Sequence, residues 1–316
     1  MKKKSMLEIV DDYIHYKRDL GFVFGTSAFD LRSFAKFADE YAFGMPLTVT
    51  LAIRWATTSQ AGNKRHICLI KALKPFAKYL CTIDSRTELI PGNILGTCST
   101  RAEPYIYSET EIVRLMETEA YNPKRKQCNS TFSTIVGLLA CSGMRIGEVL
   151  ALQWRDIDWD QKTVIVRNSK KLPMRLVPLD SSTMIQLLQF SRRWHGEKMR
   201  TGDEPFFTSP DGGFIVYKNF RRIWEQALMK VGMAKKHHGK NPRLYDLRHT
   251  FACNQLLRAY KEKRNIEATI NMLSVYLGHK SVGETYWYLT GIPALLELSG
   301  KRFEDHIKNQ RKKSTS

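Results

Sequence analysis

Apolar residues recur every three to four positions along nearly the whole chain, and the one sustained break in that rhythm lies between Asp156 and Leu179. Helical spacing runs through Leu7, Val10, Ile14 and Leu20, then Phe29, Phe34, Phe37 and Tyr41, then Ile67, Ile70, Leu73 and Ala77. Inside the break, Thr163-Val164-Ile165-Val166-Arg167 and Arg175-Leu176-Val177-Pro178-Leu179 are β-prone runs flanking the polar Asn168-Ser169-Lys170-Lys171. That is the pattern of a hairpin or a small three-stranded sheet. Helical spacing resumes at 181–200, 218–231, 245–260, 266–277 and 293–307. The fold class expected is mainly α with a small antiparallel β-sheet.

At 316 residues the chain exceeds the usual size of one domain, and 43% apolar residues suffice for a core in each of two. Residues 84–103 hold Pro91, Gly92, Gly96, Ser99 and Thr100 with little periodicity, which marks a connection. The organisation expected is a helical domain over 1–97, a linker at 98–104, and a second domain over 105–316 ending in a helix and the basic tail Arg311-Lys312-Lys313. Ser108, with Glu111 three residues later, opens the second domain with a capping box.

Lys and Arg total 50 against 31 Asp and Glu, a formal charge of +19, yet only 26% of residues are charged, which excludes a disordered polyelectrolyte. A folded protein with that excess attracts polyanions, nucleic acid being the commonest. Both parts are basic: 14 Lys and Arg face 9 acids in residues 1–100, and 36 face 22 beyond. No apolar run of about 18 residues is present, so no transmembrane helix is expected. Glu8, Asp11 and Asp12 interrupt what a secretory signal would need as its apolar segment, so a cytoplasmic location is expected. Cys68, Cys81, Cys98, Cys128, Cys141 and Cys253 have no metal-binding spacing and are expected as reduced, buried thiols.

Four segments hold the residues able to do chemistry, and each alone has a structural explanation. In Cys141-Ser142-Gly143-Met144-Arg145-Ile146-Gly147-Glu148, an arginine follows a Ser-Gly break and opens an apolar helix, where it is unfavourable unless an anion is near. In Tyr245-Asp246-Leu247-Arg248-His249-Thr250, just after Pro242, a helix start and a guanidinium could share a phosphate. Leu277-Gly278-His279-Lys280 is a glycine-ended helix followed by histidine, and Glu284-Thr285-Tyr286-Trp287-Tyr288-Leu289-Thr290 is an aromatic run that would ordinarily pack in a core.

Taken together and in this order, the segments resemble the catalytic domain of the tyrosine recombinase (phage integrase) family over about residues 104–290. The first domain resembles that family's helical core-binding domain in size and class. The resemblance implies that Arg145 and Arg248 bind the non-bridging oxygens of a phosphodiester, stabilising a pentacoordinate transition state. It makes Lys170 the general acid for the departing 5′ oxygen, a role that requires neighbouring cations to lower the lysine pKa. Lys171 would exchange with it under a register shift of one. His279 would bond to the phosphate or orient the nucleophile, and Tyr288, nine residues later, would be that nucleophile, with Tyr286 close enough to compete. Glu148 would orient the arginine. His249, about 100° around a helix from Arg248, is expected to be structural.

One position departs from the family pattern. Tyr245 stands where a histidine is usual, three residues before Arg248. A phenol can donate a hydrogen bond to a phosphate oxygen but, with an ordinary pKa near 10, is a poor base at neutral pH. No acidic cluster of a two-metal nuclease accompanies these residues, so no metal, ATP or other cofactor is expected. The partners implied are double-stranded DNA with specific recombination sites, gripped between two domains, and a homo-tetramer on that DNA with a Holliday-junction intermediate. An accessory recombinase or DNA-bending protein is a further possible partner, and no membrane is. Two other readings stay open: a catalytically silent DNA-binding protein, and an enzyme resembling type IB topoisomerases.

Overall fold

A computed structural model describes residues 4–96, 103–120, 125–167, 174–196 and 202–290, with 287–290 described by backbone only. The chain divides into two compact units, Met1–Arg101 and Ala102–Ser316. Lys170, Lys171, Cys98, the expected helix at 293–307, the basic tail and most of the expected linker lie outside the described residues.

The first unit contains helices α1 (Met6–Asp19), α2 (Thr26–Tyr41), α3 (Val49–Thr58) and α4 (Asn63–Leu80). Ser5 caps α1 through a reciprocal pair with Glu8, satisfying two backbone N–H groups that would otherwise be orphaned at the helix start. Val10, Ile14, Phe34, Leu73 and Phe76 meet in a closed core. The inward stripe of α2 differs from expectation: it runs through Leu31, Phe34, Ala35 and Ala38, while Phe29 and Tyr41 are exposed. Two alanines let neighbouring helices approach closely, so small residues define the buried face that the larger aromatics suggested.

The second unit begins with α5 (Glu109–Glu117), α6 (Lys126–Ser142) and α7 (Ile146–Leu150). The Ser108–Glu111 capping box forms at the start of α5. A short 3₁₀ turn, Trp154–Asp156, leads into a three-stranded antiparallel sheet of β1 (Ile157–Asp158), β2 (Thr163–Val166) and β3 (Arg175–Pro178) in sequential order. Val164 pairs with Val177 and Val166 with Arg175. Helices α8 (Ser181–His195), α9 (Tyr217–Lys230), α10 (Leu244–Lys261), α11 (Ile266–Leu277) and α12 (Gly283–Thr290) follow. Every residue from Asp246 to Cys253 is buried, so this stretch of α10 is enclosed on all sides and Arg248 lies inside the unit, 1% exposed.

Among the described residues no helix is long and apolar enough to cross a membrane. The described cysteines are free thiols, but the expectation of burial needs correcting: Cys253 is buried, Cys81 and Cys128 are half-buried, and Cys68 and Cys141 are exposed. An apolar stretch of helix still has an outward face, and Cys68 lies on it between the buried Ile67 and Leu69 of α4.

Candidate active site

The Ser-Gly break before Arg145 ends α6. Gly143 takes a left-handed conformation with φ of +60°, and a Cβ there would sit 2.4 Å from a Phe251 ring carbon. Both the backbone angle and the space therefore demand glycine. Gly143→Ala is expected to lower stability by roughly 2 kcal/mol or more, read as an earlier urea midpoint at unchanged slope. The turn delivers Arg145 to the N-cap of α7, where Glu148 accepts from its backbone N–H at 2.8 Å and from its guanidinium at 2.9 Å.

Arg248 arrives from the first turns of α10. The start of that helix is anchored by Asp246, fully buried, which accepts from the Arg243 backbone N–H at 2.8 Å and from its guanidinium. Arg248 donates to the Gly143 carbonyl at 2.9 Å and to the Leu277 carbonyl at 2.6 Å. Arg145 donates to the next carbonyl, Gly278, at 2.8 Å. A third arginine reaches the same helix end: Arg175, from β3, donates through Nε to the Tyr276 carbonyl at 3.0 Å.

Three consecutive carbonyls at the C-terminus of α11 thus each receive a different guanidinium, from α10, α7 and β3. The last carbonyls of a helix lack intrahelical partners and sit at the negative end of its dipole, which makes them natural acceptors for cations. Gly278 closes α11 in the left-handed region at φ +62°, and a Cβ there would stand 3.2 Å from the Arg175 Cδ. His279 follows directly. Its Nδ1 bonds to the Thr285 hydroxyl of α12 at 2.6 Å, and Thr285 is fully buried. This contact fixes the plane of the ring from the side away from Nε2.

Glu148 links two of the three arginines. Arg175 grips both of its oxygens, at 2.9 and 2.7 Å, and Arg145 shares Oε1. Burial works to raise the carboxyl pKa, but the bonds from Arg175 and Arg145 outweigh it and hold the group below the usual carboxylate range. At neutral pH Glu148 is therefore an ionised buttress and not a proton donor. Arg175 and Thr285 were not singled out in the sequence. The available signal for Arg175 was its inward register, two residues from the buried Val177 in a strand of alternating burial.

The structure brings Arg145, Arg248 and His279 to one place, around the end of α11. Tyr245, in the first turn of α10, is 41% exposed, and its ring meets His249 edge-on at 4.8 Å. His249 is buried beneath it. Tyr286 is exposed on α12, and Tyr288 lies on the same helix in the backbone-only stretch. Among the described residues no group of three His, Cys, Asp or Glu side chains could hold a metal ion.

Comparison with known proteins accounts for this arrangement. The model of the phage integrase family matches residues 106–291. A putative integrase/recombinase of Sinorhizobium fredii, y4rB, is 33% identical over 304 residues, covering 94% of this chain and 96% of its own. The tyrosine recombinase XerC of Xanthomonas axonopodis pv. citri is 28% identical over 188 residues, 60% of this chain and 54% of that protein. In fold, the chain is similar to the XerH site-specific recombinase bound to its difH substrate, with a TM-score of 0.65 at 15% identity, covering 88% and 79% of the two chains. It is also similar to the Tn1549 transposon integrase in complex with a circular-intermediate DNA, with a TM-score of 0.64 at 14% identity, covering 95% and 100%. With the family model spanning more than half of its length and a relative matched nearly end to end, the chain belongs to the phage integrase family of tyrosine recombinases.

Proposed function

We propose that the protein is a site-specific DNA recombinase of the integrase or transposase type, which cuts and rejoins DNA through a 3′-phosphotyrosine at Tyr288. One observation carries the reading: Arg145 and Arg248, from separate helices, converge on adjoining carbonyls immediately before His279. Two guanidiniums and an imidazole at one point suit a single phosphodiester, whose developing charge they would neutralise without a metal.

In the proposed reaction the Tyr288 hydroxyl attacks phosphorus and gives up its proton to solvent, the bond from phosphorus to the 5′ oxygen breaks, and Lys170 supplies the proton that the leaving 5′ hydroxyl needs. The phosphodiester energy is stored in the tyrosyl ester, so attack by an incoming 5′ hydroxyl reseals the strand and frees the tyrosine. Arg145 and Arg248 hold the non-bridging oxygens, and His279, steadied by Thr285, donates from Nε2. Tyr245 supplies a further hydrogen bond to the phosphate in place of the usual histidine. Residues 1–101 serve as the core-binding domain, with the exposed Lys71 and Lys78 of α4 available to DNA phosphates. Four protomers act on two sites in the cytoplasm and pass through a Holliday junction.

The test is a covalent-adduct assay with nicked suicide substrates made from DNA flanking the gene, run in EDTA without ATP and resolved on a denaturing gel. A protein–DNA adduct is the expected result. Binding to the same DNA with no adduct would favour a silent DNA-binding protein instead.

A further inference from the structure

We propose that Arg175 is a positioning residue of the phosphate clamp, holding Glu148 so that Arg145 remains available to the scissile phosphate. The inference rests on the recombinase reading above and deepens it. Its basis is the unequal way in which two guanidiniums share one buried carboxylate.

Arg175 occupies both oxygens of Glu148 in the side-by-side geometry that makes arginine–carboxylate pairs strong, and adds a third bond to the Tyr276 carbonyl. Its side chain is 13% exposed and that of Glu148 is 5% exposed. The Arg145 guanidinium is left with a single bond to Glu148, to the oxygen that Arg175 also uses, while the other oxygen takes the Arg145 backbone N–H, and the side chain stays 28% exposed. The three groups together carry one net positive charge. With Arg175 in place, the negative charge of Glu148 is matched chiefly by Arg175, and the surplus lies on the more exposed Arg145. Without it, the Arg145 guanidinium would be left to match the Glu148 charge alone, and the pair would be neutral before DNA arrives. Gly278 completes the device, since its missing Cβ leaves room for the Arg175 side chain.

Lysine at 175 keeps the charge but lacks the planar fork, so it cannot hold both oxygens of Glu148 and the Tyr276 carbonyl together. The experiment is a double-mutant cycle on single-turnover adduct formation, using wild type, Arg175→Lys, Arg145→Ala and the double variant. Equilibrium DNA binding and near-ultraviolet circular dichroism are recorded for each. Arg175→Lys is expected to slow adduct formation about 10-fold in the otherwise unaltered chain and less than about 2-fold when Arg145 is already alanine. Glu148→Gln, nearly isosteric and uncharged, is run in the same cycle and is expected to lose its effect in the Arg145→Ala background likewise. Equal slowing in both backgrounds, for either substitution, would overturn the proposal by showing that Arg175 and Glu148 act on overall packing. No adduct from wild type on DNA it demonstrably binds would overturn the recombinase reading and this inference with it.

Discussion

Tyr288→Phe is expected to abolish the covalent adduct while leaving DNA affinity nearly unchanged, because it removes one hydroxyl and no charge. Phenylalanine has no oxygen to attack phosphorus, so the loss should reach the detection limit of the gel. Tyr286→Phe is the necessary companion. Positions two apart on a helix point about 200° away from each other, so α12 can present only one of the two tyrosines to the phosphate. Tyr288 stands nine residues after His279, the separation that the family resemblance implies for the nucleophile, and Tyr286 stands seven after it. The adduct should therefore survive Tyr286→Phe. The reverse pattern would move the nucleophile to Tyr286 and break the nine-residue spacing from His279.

The second large effect is expected at the two arginines. Arg145→Ala and Arg248→Ala should each remove several kcal/mol of transition-state stabilisation, slowing adduct formation on the order of 10²-fold or more at saturating DNA. The two should differ in what accompanies that loss. Arg145 is partly solvent-exposed, and Glu148 keeps Arg175 when Arg145 is truncated, so the thermal transition should fall less than for Arg248. Arg248 is buried and satisfies the Gly143 and Leu277 carbonyls, so truncation also leaves two acceptors without this donor and should lower the transition. Adduct rates of either variant equal to wild type would remove the phosphate clamp from the account.

Much of this was legible in the sequence because it depends on side-chain type and spacing. The helical rhythm marked the helices, the alternating runs around residue 170 marked the sheet, and Ser-Gly-Met-Arg and Leu-Gly-His marked two helix ends closed by left-handed glycine. What escaped was set by backbone and partners. The acceptors that gather the arginines are the main-chain carbonyls of Tyr276, Leu277 and Gly278, and a carbonyl leaves no signature in the side-chain alphabet. Arg175 read as part of a β-prone run because only tertiary pairing reveals which face of a strand is enclosed. Cys68 and Phe29 misled for the same reason, since residue type alone does not say which side of a helix its neighbours cover.

The triple attachment at the end of α11 also ties the three arginines to one another. One residue of axial slide, about 1.5 Å, would carry the Tyr276, Leu277 and Gly278 carbonyls away from all three guanidiniums at once. The placement of all three guanidiniums is thus coupled through one helix end, so a substitution that displaces this end is expected to impair the three arginines together and not one by one.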